Sequence, residues 1–156
     1  MTLLIDELWP GVIFNQPFRI KKSCQIAHVR PWVYKHGTPP AGEMVLQVLD
    51  SEHNILREAR LGASAINLAA PLPYAHGPLR FDFPSLQLNH DRTQEFTEYT
   101  IRIFMDGYTA NSSNFYGLIR RYEQNYYPLY GDLDSEGGPL KSTISPLGFE
   151  LYKVDY

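Results

Sequence analysis

A chain of 156 residues, 44% hydrophobic and 20% charged, is long enough to form one domain around its own core without metal or disulfide staples. A net charge of −3 excludes the electrostatic footprint of a nucleic-acid or anionic-membrane binder, the only basic clusters being Arg19–Lys22 and Arg120-Arg121, and the single cysteine, Cys24, excludes an internal disulfide framework. An aromatic content of 13% with 12 Pro and 11 Gly favours many short strands joined by turns.

The first ten residues, M-T-L-L-I-D-E-L-W-P, lack a basic region followed by a long apolar run, and no later stretch is long and apolar enough for a membrane helix, so a soluble chain without an export signal is expected. Leu3, Leu4, Ile5, Leu8 and Trp9 are nevertheless more apolar than a free tail should expose. Residues 1–11 are therefore read as an arm docking on a neighbour or as a first edge strand, and residues 12–156 as a single β-sandwich domain.

Period-two alternation then recurs along the chain. Val12–Ile20 sets Phe14, Gln16, Phe18 and Ile20 on one side, and Gln25–Tyr34 sets Ala27, Val29 and Val33 on one side. Pro17 and Pro31 interrupt these runs; because proline removes a ladder donor, both strands are expected at sheet edges or bulged at the proline. Met44–Leu49 is nearly all apolar, which suits a strand buried on both faces, and the turn-rich Asp50–Asn54 joins it to Ile55–Leu61 in a hairpin. The small-residue patches at 62–77 suggest a crossing between sheets. Strands are expected at Leu79–Phe83 and Tyr99–Met105, with a closing strand over Phe149–Tyr156. The sum is an all-β, antiparallel two-sheet β-sandwich, jelly-roll-like, of about nine strands.

Asn114–Leu133 holds Tyr116, Tyr122, Tyr126, Tyr127 and Tyr130, rings that pack by a face and hydrogen-bond by the hydroxyl. Its first half reads as the penultimate strand and its second half as a proline-broken turn against the closing strand. On the structural reading Tyr126, Tyr127 and Tyr130 clasp one end of the sandwich. On the functional reading they form an interface with Arg120 and Arg121, since Tyr and Arg are enriched where partners meet, while Leu4 and Trp9 of the N-terminal segment are interface candidates of the arm.

Asp132, Asp134 and Glu136 alternate in a Gly-rich loop, an arrangement that hard cations favour, and make a calcium candidate against a plain acidic solvent loop. The five histidines fall one per segment without metal-site spacing, and Cys24 lies in an apolar strand as a structural thiol. Asn111-Ser112-Ser113 matches a glycosylation acceptor with no export signal beside it. There is no Gly-x-Ser-x-Gly, no phosphate-cradling loop and no dinucleotide fingerprint, so no catalytic residue and no organic cofactor is assigned.

The order of strand and turn signals resembles the jelly-roll β-sandwiches of carbohydrate-binding-module and discoidin-like type. These occur as accessory domains of enzymes and as decoration, fibre or baseplate parts of tailed bacteriophages. The residues that carry the resemblance are Phe14-x-Gln16-x-Phe18, M-V-L-Q-V-L-D-S-E-H-N-I-L, Phe81-x-Phe83 with Leu86-x-Leu88 and E-Y-T-I-R-I, N-Y-Y-P-L-Y-G, and the terminal G-F-E-L-Y. The usual tyrosine–proline–glycine–glycine turn is here Tyr127-Pro128-Leu129-Tyr130-Gly131. The resemblance implies a non-enzymatic structural or accessory protein of a larger assembly, a bacteriophage virion, with protein partners and self-association. A carbohydrate-binding module that takes a glycan is the alternative, and a small β-barrel enzyme the second alternative.

Overall fold

A computed structural model of the chain describes residues 4–37, 42–62, 66, 74–107, 109–120, 140–141 and 149–153. Eleven strands occur among them: β1 (Leu4–Leu8), β2 (Ile13–Ile20), β3 (Cys24–His36), β4 (Glu43–Leu49), β5 (Ile55–Gly62), β6 (Tyr74–Pro78), β7 (Phe81–Leu88), β8 (Thr97–Asp106), β9 (Phe115–Arg120), β10 (Leu140–Lys141) and β11 (Phe149–Lys153). They form two antiparallel sheets, one of four strands in the order β2-β8-β4-β5 and one of seven strands built around β3. The chain passes from one sheet to the other between β1 and β2, β2 and β3, β3 and β4, β5 and β6, β7 and β8, and β8 and β9. This repeated crossing makes the sandwich jelly-roll-like.

Over the described span the N-terminal residues form a strand at one end of the seven-stranded sheet. Leu4–Leu8 pairs with β9 from Leu4↔Arg120 to Leu8↔Tyr116, and Leu8 is fully buried. The core between the sheets is filled by inward residues of β2, β3, β4, β7, β8 and β9, among them Phe18, Ile20, Val29, Val33, Met44, Leu46, Phe81, Phe83, Ile101, Tyr116 and Leu118. Burying one such side chain contributes roughly 1.5–3 kcal/mol, which is why period-two alternation governs nearly every element. All six residues of Met44–Leu49 are buried, as expected of a strand covered on both faces.

β3 is the exception to the proline expectation. β2, with Pro17, is an edge, but β3, with Pro31, is the central strand of its sheet. β6 and β7 run as one ladder along it, from His36↔Tyr74 through Val29↔Phe81, and the Pro31 carbonyl accepts from the Leu79 amide at 2.9 Å. Proline has no amide to return, and the strand is interrupted at Leu79–Arg80, where that bond would fall. On its other side β3 changes neighbour at the same place, from β11 (Phe149↔Pro31) to β9 (Leu118↔Val33). A central strand tolerates Pro31 because both of its partners break there. A register shift between Ile26 and His28 puts fully buried Ile26 in the core in place of half-buried Ala27.

Candidate functional site

The outer face of the seven-stranded sheet carries a second, smaller apolar cluster, separate from the core. Val29, Pro31 and Val33 of β3 point inward and are buried, so the alternation of the strand turns Trp32, Tyr34 and His36 to the opposite face. Phe115 of β9 lies opposite His36 in register, and their rings stack at 5.1 Å between centroids. Tyr34 stacks on His36 at 6.3 Å and tilts against Phe115 at 6.1 Å, while its hydroxyl shares a hydrogen bond of 3.3 Å with His36 Nδ1. Trp32 and Ala110 pack against Tyr34 and Phe115.

Trp9 completes the cluster from the end of β1, its ring stacked on Phe115 at 6.0 Å. Its position follows from Trp9-Pro10-Gly11-Val12, where proline presets the second residue of a turn and Gly11 adopts φ 83°, closed by the Val12 amide donating to the Trp9 carbonyl at 3.0 Å. The indole Nε1 donates to Glu7 Oε2 at 2.9 Å. One row along the face, Glu7 of β1, Gly117 of β9 and Tyr34 of β3 are register partners. Gly117, itself buried, brings no side chain between them.

The turn that delivers Phe115 is braced against β3. Asn111 and Asn114 exchange backbone hydrogen bonds of 3.1 and 3.0 Å, and the Asn111 side chain accepts from the Ser113 amide at 2.9 Å. Gly37 has φ 67°, and a side chain there would run into the Ser113 carbonyl and the Asn114 side chain. Glycine at 37 therefore lets the 111–114 turn sit directly on the end of β3. The inner rings, Tyr34 and Phe115, are each 8% exposed, whereas Trp9, Trp32 and His36 are half-buried and present their rims to solvent. The array sets stacking faces, the Glu7 carboxylate and an imidazole side by side on the outer face of the sheet.

Of the residues singled out from sequence, Trp9 alone is placed in this cluster with its side chain described. Leu4 and Arg120 face each other in the β1–β9 ladder, at the opposite end of the strand from Trp9. Arg121, Tyr126, Tyr127, Tyr130 and the calcium candidates Asp132, Asp134 and Glu136 lie outside the described residues. Tyr116, from the same tyrosine-rich stretch, is a core residue, 1% exposed. Among the described residues no group of three or more His, Cys, Asp and Glu side chains is arranged to hold a metal ion.

Composition and spacing do not single out Trp32, Tyr34, His36 and Phe115 as one face, yet a signal is present: Trp32-x-Tyr34-x-His36 is a period-two aromatic run on the face opposite Val29 and Val33.

Away from this face, a tyrosine hydroxyl braces the loop after β7. The hydroxyl of Tyr99 donates to the Asn89 carbonyl at 2.6 Å and accepts from the Asn89 amide at 2.8 Å, and burial holds its pKa above the ordinary phenol value. The same loop is pinned by the His90 amide donating to Ser23 Oγ at 2.8 Å and by Asp91, whose carboxylate accepts from the Thr93 hydroxyl and amide and is thereby held below the usual carboxylate range. No protein-family model, curated protein or solved structure matches this chain.

Proposed function

We propose that this chain is a non-enzymatic β-sandwich that serves as a structural or accessory component of a larger assembly and engages a protein partner through the outer face of its seven-stranded sheet. The observation that carries this reading is the ring cluster on that face, with Trp9, Trp32 and His36 half-exposed around buried Tyr34 and Phe115, where an isolated sandwich ordinarily presents polar side chains. A bacteriophage particle, as a decoration, tail or baseplate protein, is the assembly the sequence resemblance implies. The test is a photo-reactive residue placed at position 32, with one at position 102 on the opposite outer face as control. Cross-links to a defined structural protein from position 32 alone support the reading; identical products from both positions overturn it.

A second reading, glycan binding, draws on the half-exposed indoles of Trp9 and Trp32, since flat rings stack on sugar faces. A glycan array distinguishes the two. Saccharide binding lost on Trp32→Ala with the fold intact favours the glycan.

A further inference from the structure

The four-stranded sheet ends on β5, and among the described residues no strand pairs with its outer side. The other long edges carry prolines: Pro17 within β2, and Pro78 and Pro84 along β6 and β7. Proline on an edge removes a donor and discourages pairing with another chain. β5, I-L-R-E-A-R-L-G, runs eight residues with none.

Its side chains are arranged for a partner of one particular kind. Register with β4 places Ala59 opposite Leu46 and Leu61 opposite Met44, and both pack on the core, leaving Glu58 and Arg60 exposed on the outer face, where they pair with each other at 2.9 Å and Arg60 also reaches Asp106. Arg57 is occupied with the Pro84 carbonyl of β7 at 3.1 Å. Leu56, the extra residue where the register shifts, is 39% exposed. Gly62 has nothing within 4 Å of where a Cβ would stand.

Two identical strands pair antiparallel about an axis perpendicular to the sheet, which keeps every residue on its own face and lets only positions of like parity oppose each other. An axis through Glu58 or Arg60 sets like charges against themselves. An axis through Ala59 sets Glu58 against Arg60 twice, and brings the bulge that holds exposed Leu56 beside the open space at Gly62 twice.

We propose that β5 is a self-association edge, pairing antiparallel with β5 of a second copy about Ala59 to join two four-stranded sheets into one of eight. Small Ala59 at the axis permits close approach, the two Glu58–Arg60 contacts choose the register, and the two Leu56–Gly62 contacts bury the exposed leucine. The aromatic face on the other sheet takes no part.

Sedimentation of the full chain from about 1 to about 500 μM tests this, with circular dichroism melts as a fold control. The wild type forms dimers. Gly62→Leu adds bulk at a position where a Cβ has open space and weakens the dimer at least about tenfold, as does Glu58→Arg, which sets arginine against arginine. The double exchange E58R/R60E restores the attraction and the dimer. Trp9→Ala and Trp32→Ala leave association unchanged, which separates this edge from the partner-binding face. A wild type that stays monomeric throughout, or a dimer that neither Gly62→Leu nor the charge exchange alters, overturns the proposal.

Discussion

On the outer face of the four-stranded sheet, polar side chains are matched across strand boundaries. Arg19 pairs with Glu98 at 3.3 Å, Arg102 donates to Asn15 at 2.9 Å, Gln47 donates to Glu58 at 2.7 Å, and Arg60 reaches Glu58 at 2.9 Å and Asp106 at 2.7 Å. On the outer face of the seven-stranded sheet, the half bounded by β1 and β9 is built of stacked rings instead. Both are sheet faces turned away from one core, so burial in the sandwich explains neither. What separates them is where each satisfies itself. Ion pairs are complete in water and contribute little when broken, whereas rings gain by excluding water and gain more when something covers them.

The comparison is broken most directly by removing its central ring. Phe115→Ala takes away the side chain that Trp9, Tyr34 and His36 all touch, and leaves a cavity between β1 and β3. The expected loss is about 3–5 kcal/mol, as for a core aromatic, read from the urea midpoint. A loss below about 1 kcal/mol means that the cluster is surface decoration and that the two faces are energetically alike.

Gly37→Ala comes next. Its φ of 67° alone costs a β-carbon roughly 1 kcal/mol, and the clash with the Ser113 carbonyl adds to that by pushing the 111–114 turn off β3. Trp9 fluorescence reports whether Phe115 moves with the turn. An emission spectrum identical to the wild type, with stability lost, confines the damage to the backbone.

The opposite face supplies the small effect. Arg19→Ala breaks a pair whose side chains are 32% and 45% exposed, and is expected to cost about 0–1 kcal/mol, less again in high salt. A larger, salt-sensitive loss puts the polar face on the same footing as the aromatic one.

How much of this was legible in the sequence depended on whether a signal was local. Buried Met44–Leu49 and its hairpin to β5 could be read because apolar runs, turn residues and antiparallel pairing all lie within twenty positions. The two sheets could be read from the density of alternation. The position of β3 could not: Pro31 argues for an edge, and only the coincidence of two strand breaks beside it, at Leu79–Arg80 and between β9 and β11, makes a central place tolerable. The aromatic face failed for a related reason. Trp9, His36 and Phe115 are far apart in the chain, and nothing local says that β1 and β3 flank β9. The bracing by Tyr99 could not be read either, because that residue sits in an ordinary alternating strand and its partner, the Asn89 backbone, carries no side-chain signature.

His28 sharpens the comparison within the seven-stranded sheet itself. It follows Trp32, Tyr34 and His36 in parity along β3 but lies past Pro31, opposite Asp82 of β7, where the outer face becomes charged. Burial lowers its pKa from the ordinary 6.5, the Arg80 and Arg30 guanidinium groups lower it further, and Asp82 opposes them. Asp82 is itself engaged by Arg80 at 2.7 Å, so its pull on the imidazole is shared. The folded state therefore holds this histidine's proton less tightly than the unfolded chain does. Between 6.5 and the lower folded-state value the unfolded chain binds more protons, so stability contributed by neutral His28 is full above pH 6.5 and is lost as pH falls through that window. His28→Gln should flatten this part of the stability–pH curve measured by urea unfolding between about pH 5 and pH 8. Equal slopes in variant and wild type would show that the charged half of the face is as indifferent to this histidine as exposed ion pairs are to one another.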